Sequence, residues 1–255
     1  MTAPPLFRLR GVSCRYGARE VLSELDFALA PGERAALLGG NGTGKTTLLH
    51  VMMGLVRPCR GTVEAFGTVR VRDSDFAEVR RRAGLLFQDA DDQLFCPTVI
   101  EDVAFGPLNC GQSDAEARAT AESVLHRLGI EGLADRVTHR LSGGEKRMVS
   151  LAAVLAMQPE VLLLDEPTNA LDDDARERLI ELLCELPQAM VLVTHEQALV
   201  ERLGFTPAVL RDGRLAAAEV HRHPHVHRHQ HGHIHLDPEH AVHEHHHPGP
   251  AETGE

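Results

Sequence analysis

The sequence has 255 residues, of which 43% are apolar and only 4% aromatic, so aliphatic side chains must build the core. Its formal net charge of −11 argues against a nucleic-acid-binding protein, which needs a basic surface. No apolar stretch approaches the roughly 20 residues of a membrane helix, and five Cys without a CxxC pair are typical of reduced thiols. Residues 1–220 are predicted to form one α/β domain, and residues 221–255 a His-rich tail that cannot build a core of its own.

The first part of the domain alternates apolar and polar residues, as strands do. Two strands are predicted at residues 6–16 and 21–29, on either side of a turn. The apolar run at residues 35–38 predicts a buried strand that leads directly into glycines, and residues 46–53 are expected to form a helix.

The middle of the chain is predicted to be helical. Two segments fit the capping-box pattern of a helix N-terminus, Thr98 with Glu101 and Ser113 with Glu116. Gly129 is expected to follow the end of the second helix.

Two further apolar runs, at residues 161–164 and 190–193, predict buried strands. Asp172 or Asp173 is expected to cap a helix between them. Strands that alternate with helices predict an α/β fold with a parallel-cored sheet.

Residues 39–46 read GGNGTGKT and fit the pattern GxxxxGK[ST] of a phosphate-binding loop, between a strand and a helix as that motif requires. Lys45 would neutralise the β- and γ-phosphates, and the Thr46 hydroxyl would hold Mg²⁺. The alternative is a Gly-rich turn with an accidental Lys. We expect nucleotide contacts from Gly39, Asn41, Gly42, Gly44, Lys45, Thr46 and Thr47.

The apolar strand at residues 161–164 ends in two acids, Asp165 and Glu166. Asp165 could bind Mg²⁺ through water, and Glu166 could orient or deprotonate the attacking water. The alternative is that the strand ends in an Asp that merely caps a helix.

Residues 141–145 read LSGGE, and here the sequence resembles the ABC ATPase family, whose signature is LSGG[EQ]. Ser142 and Glu145 also form a capping-box pattern, but a Gly pair costs helix stability unless a backbone must approach closely. The resemblance implies an N-terminal antiparallel β part and a helical signature subdomain at about residues 89–158. It also implies that MgATP binds between two subunits, and we expect those subunits to form a homodimer. Ser142, Gly143 and Gly144 would then face the nucleotide of the other subunit.

Other positions match further elements of that family in the expected order. The resemblance implies that Tyr16 stacks on adenine, that Gln88 contacts Mg²⁺ and water, and that His195 contacts the γ-phosphate. The catalytic set is then Glu166, His195 and Gln88, and the Mg²⁺ set is Thr46, Gln88 and Asp165. Residues 169–172 match the loop that crosses the dimer interface.

A narrower resemblance lies in residues 87–95 and 98–106, which are similar to the ATPases of energy-coupling-factor importers, especially the cobalt/nickel branch. Ala90 stands where that group commonly has Pro, and the chain lacks most of the C-terminal domain found in many members. The resemblance implies transmembrane transporter subunits as partners, and a peripheral location at the cytoplasmic face of the membrane. Asp91, Gln93 and Phe95 are expected to contact such a subunit.

Eight His occupy every second position of the tail: His221, His223, His225, His227, His229, His231, His233 and His235. In an extended chain they would lie on one face about 6.6 Å apart, and neutral imidazole is a ligand for Ni²⁺ and Co²⁺. An expression tag and a solubilising tail are the alternatives.

The sequence therefore predicts an ATPase subunit of a membrane transporter, with nickel or cobalt uptake as the first hypothesis. An ATPase of another importer or exporter, a soluble ABC ATPase outside transport, and a metal store that uses the tail alone are the other hypotheses.

Overall fold

A computed structural model describes residues 4–217, which form two sheets and flanking helices. Expectations about the His-rich tail lie outside these residues. In chain order the strands are β1 (Phe7–Tyr16), β2 (Arg19–Leu29), β3 (Arg34–Leu38), β4 (Arg60–Ala65), β5 (Thr68–Arg70), β6 (Ala83–Leu86), β7 (Val161–Asp165), β8 (Ala189–Val193), β9 (Thr206–Arg211) and β10 (Arg214–Ala217). The helices are α1 (Lys45–Met52), α2 (Phe76–Arg82), α3 (Val99–Asn109), α4 (Asp114–Arg127), α5 (Gly143–Ala156), α6 (Asp173–Glu185) and α7 (Gln197–Leu203).

The first sheet has four strands in the order β2-β1-β4-β5, with antiparallel neighbours throughout. The second has six strands in the order β10-β9-β3-β8-β7-β6, and all neighbours except β9 and β10 are parallel. The prediction of an α/β fold with a parallel-cored sheet and an N-terminal antiparallel part is confirmed.

The parallel strands are apolar because both of their faces are covered. Every residue of β6, β7 and β8 is buried. Their side chains contribute to two apolar clusters, one shared with α3 to α7 and one shared with α1 and the antiparallel sheet. Because the carboxyl ends of parallel strands meet at one edge of the sheet, the loops after β3, β6, β7 and β8 lie together there.

Local capping patterns position the helices as the sequence predicts. The Thr98–Glu101 and Ser113–Glu116 capping boxes both form, and the Asp172 side chain accepts a hydrogen bond from the N–H of Ala175 at 2.7 Å. The predicted strands and helices at residues 6–16, 21–29, 35–38, 46–53, 161–164 and 190–193 agree with the structure to within about two residues.

Several elements were not predicted from the sequence. They are the helices α2 and α7, the short strands β4, β5 and β6, and the hairpin of β9 and β10. Strand β6 has only four residues, and β4 and β5 are rich in Arg and Thr, so neither length nor alternation distinguishes them from a loop.

Candidate active site

The loop between β3 and α1 has a backbone that only glycine accommodates at two positions. Gly39 has φ 147° and Gly44 has φ 108°, both in the region that L side chains rarely adopt. A Cβ on Gly39 would lie 2.5 Å from the carbonyl oxygen of Leu210, and one on Gly44 would lie 2.8 Å from Val21 Cγ1. The loop is therefore packed tightly between β9 and β2, with α1 beginning at its end.

Lys45 follows this loop and is almost wholly buried, with 7% of its surface exposed. Its Nζ donates hydrogen bonds to the carbonyl oxygens of Gly39 and Gly40, at 2.8 and 2.9 Å. The Arg19 guanidinium donates to the Gly42 carbonyl at 2.9 Å. Two cations thus lie against a loop whose backbone N–H groups and helix N-terminus suit an anion.

Asp165 lies at the end of β7 and is 2% exposed. Its Oδ2 accepts a hydrogen bond of 2.6 Å from the Thr46 hydroxyl, whereas its buried Oδ1 has no hydrogen-bond partner among the described residues. Burial raises the pKa of Asp165 above its ordinary value, and the hydrogen bond from Thr46 opposes that rise. An orphaned carboxylate oxygen next to a hydroxyl is the kind of oxygen pair that Mg²⁺ prefers, so these residues fit that ion.

Glu166 continues from Asp165 in a strained backbone conformation, with φ 47°. Its N–H donates to the Val193 carbonyl of β8 at 2.9 Å, which holds it between the ends of two parallel strands. The Nδ1 of His195 lies 3.1 Å from both carboxylate oxygens of Glu166. Glu166 is buried while the His195 side chain is 65% exposed, so the pair joins the core to the surface of the protein.

Most of these groups line an open cleft of about 490 Å³, a size that suits a small-molecule ligand, but Gly39 and His195 are not among its lining residues. Tyr16 lies at its rim with 53% of its surface exposed. The lining also includes Arg19, Asn41, Gly42, Gly44, Lys45, Thr46, Thr47, Gln88, Asp165 and Glu166. A second cleft shares Thr46 and Gln88 with the first and is lined further by Gly143, Asn169 and Ala170.

The signature segment forms the start of α5. Ser142 accepts a hydrogen bond from the N–H of Glu145 at 3.2 Å, and its own N–H donates to the Glu145 carboxylate at 2.8 Å. A Cβ on Gly144 would lie 3.2 Å from the Ala170 carbonyl oxygen. This close approach explains why a Gly stands here, although Gly lowers the stability of a helix. Of the described residues, Ser142 and Gly144 line neither cleft, so one chain does not bring them to its own phosphate loop.

Gln93, one of the predicted contact residues, bonds two other parts of the same chain. Both polar atoms of the Gln93 side chain are used inside the chain: Oε1 accepts from the N–H of Phe87 at 3.2 Å, and Nε2 donates to the Ser150 carbonyl at 3.0 Å. The side chain thus joins the loop after β6 to α5, and contact of Gln93 with a partner stays a prediction. Asp91 forms an ion pair of 2.5 Å with Lys146, and Phe95 is 67% exposed.

Four residues of this region were not identified from the sequence. Arg19 and His50 line the clefts, and Glu196 accepts hydrogen bonds from Thr168 and Arg176. The fourth is Arg147, which donates to carbonyl oxygens of the loops after β6 and β7. Their contacts are with residues distant in the sequence, and no local pattern marks them.

A phosphate loop, a buried carboxylate beside its Thr, and a carboxylate–histidine pair at the next strand ends define a nucleoside triphosphatase of the phosphate-loop class. The family described as "ABC transporter" matches residues 22–169, more than half of the sequence. The chain belongs to this family and is one of its ATP-hydrolysing, ATP-binding subunits.

Three relatives illustrate the range of the family near this chain. A Brucella suis protein assigned to the ABC transporter ATP-binding proteins, without a stated substrate, is 55% identical and covers 86% of this chain and 91% of its own length. The cobalt import ATP-binding protein CbiO of Rhodobacter capsulatus is 49% identical, covering 79% of this chain and 73% of its own. The nickel import ATP-binding protein NikO of the same organism is 43% identical, with 84% and 89% covered.

Solved structures agree with this assignment. The structure of cbiO1 from Clostridium perfringens, part of the cbiONQ transporter complex, superposes with a TM-score of 0.73 at 32% identity, over 84% of this chain and 88% of that one. The ATP-binding cassette MJ0796, a dimer bound to ADP and Pi, gives a TM-score of 0.75 at 26% identity, over 82% and 96%.

Two features of a membrane or metal protein are absent from residues 4–217. None of the helices between residues 4 and 217 has the length and hydropathy of a membrane span. Within the same range, no cluster of three or more His, Cys, Asp or Glu could hold a metal ion. The eight alternating His lie outside that range.

Proposed function

We propose that this chain supplies the energy for nickel or cobalt uptake, together with transmembrane subunits that are separate chains. ABC ATPases work with transmembrane subunits. The proposal that nickel or cobalt is the cargo is supported by the similarity to CbiO and NikO over most of the chain, because their names state cobalt and nickel import. The alternating His of the tail support it independently, since imidazole is a ligand for both ions.

We propose these roles at the nucleotide site. Lys45 and the loop N–H groups bind the phosphates, and Tyr16 stacks on the adenine ring, which its exposure at the rim of the cleft permits. Thr46 and Asp165 would hold Mg²⁺, with Gln88 nearby. When bound, that ion neutralises negative charge on the phosphate oxygens.

Glu166 is proposed to orient the attacking water and accept its proton, and His195 to contact the γ-phosphate. The hydrogen bond between Glu166 and His195 at 3.1 Å supports this pairing, because it fixes the carboxylate relative to an exposed imidazole.

We also propose that each complete site needs two chains, as a homodimer. Ser142 and Gly144 line neither cleft of their own chain, although Ser142 caps a helix whose N-terminus suits an anion. The dimeric MJ0796 cassette supports the arrangement by similarity. Bound ATP would then hold two chains together, and hydrolysis would let them separate.

The surface proposed for the transmembrane subunit centres on two aromatic rings. Phe95 and Phe105 are 67% and 44% exposed, and their rings meet edge to face with centroids 4.7 Å apart. Leu108 extends this apolar surface with 39% of its area exposed. Because the buried Asp102 carboxylate accepts the N–H groups of Phe95 and Cys96, at 3.0 and 2.9 Å, the loop is held rigidly.

Transport by the assembled complex tests the proposed cargo. The chain would be purified with the membrane proteins that accompany it, reconstituted in vesicles, and supplied with ATP and labelled Ni²⁺ or Co²⁺. We expect ATP-dependent accumulation of at least one ion, and none with a Glu166→Gln complex. ATP hydrolysis without accumulation of either ion would reject nickel or cobalt as cargo, and accumulation of another solute would identify a different importer.

The tail needs a separate measurement. We propose that residues 221–247 bind Ni²⁺ or Co²⁺, and that truncation after Val220 removes this binding while ATP hydrolysis remains. Calorimetric titration of the full and truncated chains compares them directly. Neutral imidazole is the ligand, so binding should weaken as pH falls below about 6.5. Equal metal binding by both chains would leave the tail as a solubilising appendage.

A further inference from the structure

Arg147 lies in the second turn of α5 and is 3% exposed. Within residues 4–217 its hydrogen bonds all go to backbone carbonyl oxygens. Nε donates to Pro167 at 3.1 Å, Nη1 to Gln88 at 3.4 Å and also to Phe87, and Nη2 to Glu166 at 2.5 Å and also to Asp165. One guanidinium therefore joins the signature helix to the loops after β6 and β7.

The chemistry of this contact requires arginine. A guanidinium has five N–H donors in a rigid fork and can meet carbonyls on two sides, whereas a Lys ammonium is a single point on a flexible stem. Burial lowers the pKa of Arg147 to about 10, and the charges of Asp165 and Glu166 oppose that fall. The side chain is thus charged at neutral pH and attracts both acids without occupying their carboxylate oxygens.

We propose that Arg147 is a positioning residue through which the signature helix of a chain controls the catalytic acids of the same chain. The inference rests on the proposed two-chain site. If Ser142 contacts the nucleotide held by the partner, that nucleotide fixes the N-terminus of α5. Arg147 lies five residues further on, about 7.5 Å along the helix, so the guanidinium and the carbonyls it holds are fixed too.

Glu166 is the residue on which this link would act. Its backbone has φ 47°, its N–H is held by β8, and its carbonyl is held by Arg147. A shift of α5 would change the second restraint and leave the first, which would rotate the Glu166 peptide. Each chain would hydrolyse its own ATP fastest when the partner's ATP engages its signature helix.

Purified heterodimers, isolated with two different affinity tags, separate this role from simple structural support. The partner chain carries either Glu166→Gln, which retains ATP, or Lys45→Ala, which leaves its site without ATP. Only the first chain hydrolyses ATP in both cases. With a wild-type first chain, we expect hydrolysis to be about 5- to 150-fold faster with the Glu166→Gln partner than with the Lys45→Ala partner, the usual range of coupling between sites. With Arg147→Lys in the first chain, the ratio should fall to within about twofold of one.

If Arg147 only supported the structure, Arg147→Lys would lower both rates equally and leave their ratio unchanged, which would overturn the inference. A ratio of one with the wild-type first chain would also overturn it. Arg178→Lys is the matched control, because the Arg178 guanidinium donates to a helix carbonyl on the exposed face of α6. To test the two-chain site itself, Ser142→Arg is added to the Glu166→Gln partner. Full activity there would refute the shared site, independently of Arg147.

If Arg147→Lys does not fold, hydrogen exchange of the wild-type first chain in the same heterodimers gives the answer. The inference requires slower exchange in residues 86–89 and 165–167 when the partner is Glu166→Gln than when it is Lys45→Ala. Equal exchange in those segments would overturn it.

Discussion

The Glu166→Gln substitution tests the chemistry of the site with little change in shape. Gln replaces one carboxylate oxygen with an NH2 group. The His195 ring can still bond the remaining oxygen, which lies 3.1 Å from Nδ1 in the wild-type chain. The backbone contacts of Glu166 with Val193 and Arg147 do not involve the side chain. We therefore expect a folded protein that binds MgATP with nearly unchanged affinity.

Hydrolysis should respond very differently. Loss of a general base lowers rates roughly 10²- to 10⁴-fold, which corresponds to about 2.7–5.4 kcal/mol at 1.36 kcal/mol per factor of ten. Single-turnover phosphate release at saturating MgATP measures the chemical step, and gel filtration with ATP should show an accumulated dimer. Nucleotide titration reports binding separately.

Glu177→Gln on α6 serves as the control, because that exposed carboxylate pairs only with the exposed Arg202 among the ion pairs of the described residues. Near-normal turnover in folded Glu166→Gln would refute the base assignment. An equal loss of ATP affinity and turnover would instead place Glu166 in nucleotide binding.

Four further outcomes are expected. Mixing Ser142→Arg chains with Lys45→Ala chains should restore some hydrolysis relative to either variant alone, at the slow rate expected when the partner site holds no ATP; proven heterodimers without any recovery would count against a shared site that works alone. Phe95→Ser should abolish ATP-driven transport in vesicles while basal ATPase stays within about twofold, since exposed surface substitutions seldom disturb folding, and equal loss of both would contradict a docking role. Asp102→Ala leaves two half-buried N–H groups and the buried Thr138 hydroxyl without their acceptor, so denaturant unfolding should show a loss of roughly 2–4 kcal/mol; a loss under about 1 kcal/mol would refute that reasoning. Burial raises the pKa of Cys14 to about 11, so its alkylation at pH 8 should be far slower than that of exposed thiols and should recover on unfolding; native-state labelling at the rate of an exposed thiol would be inconsistent with the structure.

Much of the phosphate site could be predicted because its parts are consecutive in the chain. The loop, Lys45 and Thr46 follow one another, and glycine spacing reports backbone conformation directly. Helix starts at Ser113 and Asp172 were predictable for the same reason, since a capping side chain bonds a backbone N–H only three residues away.

The contacts that join these parts could not be predicted. Arg147 meets carbonyls 18 to 20 residues further along the chain and others about 60 residues before it. Gln93 bonds Ser150 across 57 positions. Any side chain of suitable length with an N–H or O–H donor could bond a carbonyl. The identity of Gln93 therefore indicates a polar surface residue as readily as an internal bridge.

The placement of charge explains why Lys45 and Arg147, two buried cations near Asp165, bind carbonyls. Lys45 donates to the oxygens of Gly39 and Gly40, and Arg147 donates to main-chain oxygens on the other side of β7. Neither forms a direct ion pair with Asp165, whose Oδ1 is left with a free lone pair. Burial raises the pKa of this acid, and the nearby charge of Arg147 opposes that effect. Because the charge of Arg147 acts through space, it lowers the pKa of Asp165 without occupying Oδ1, which stays available to a ligand. A direct ion pair would stabilise the carboxylate more strongly but would occupy the oxygen that the nucleotide site needs.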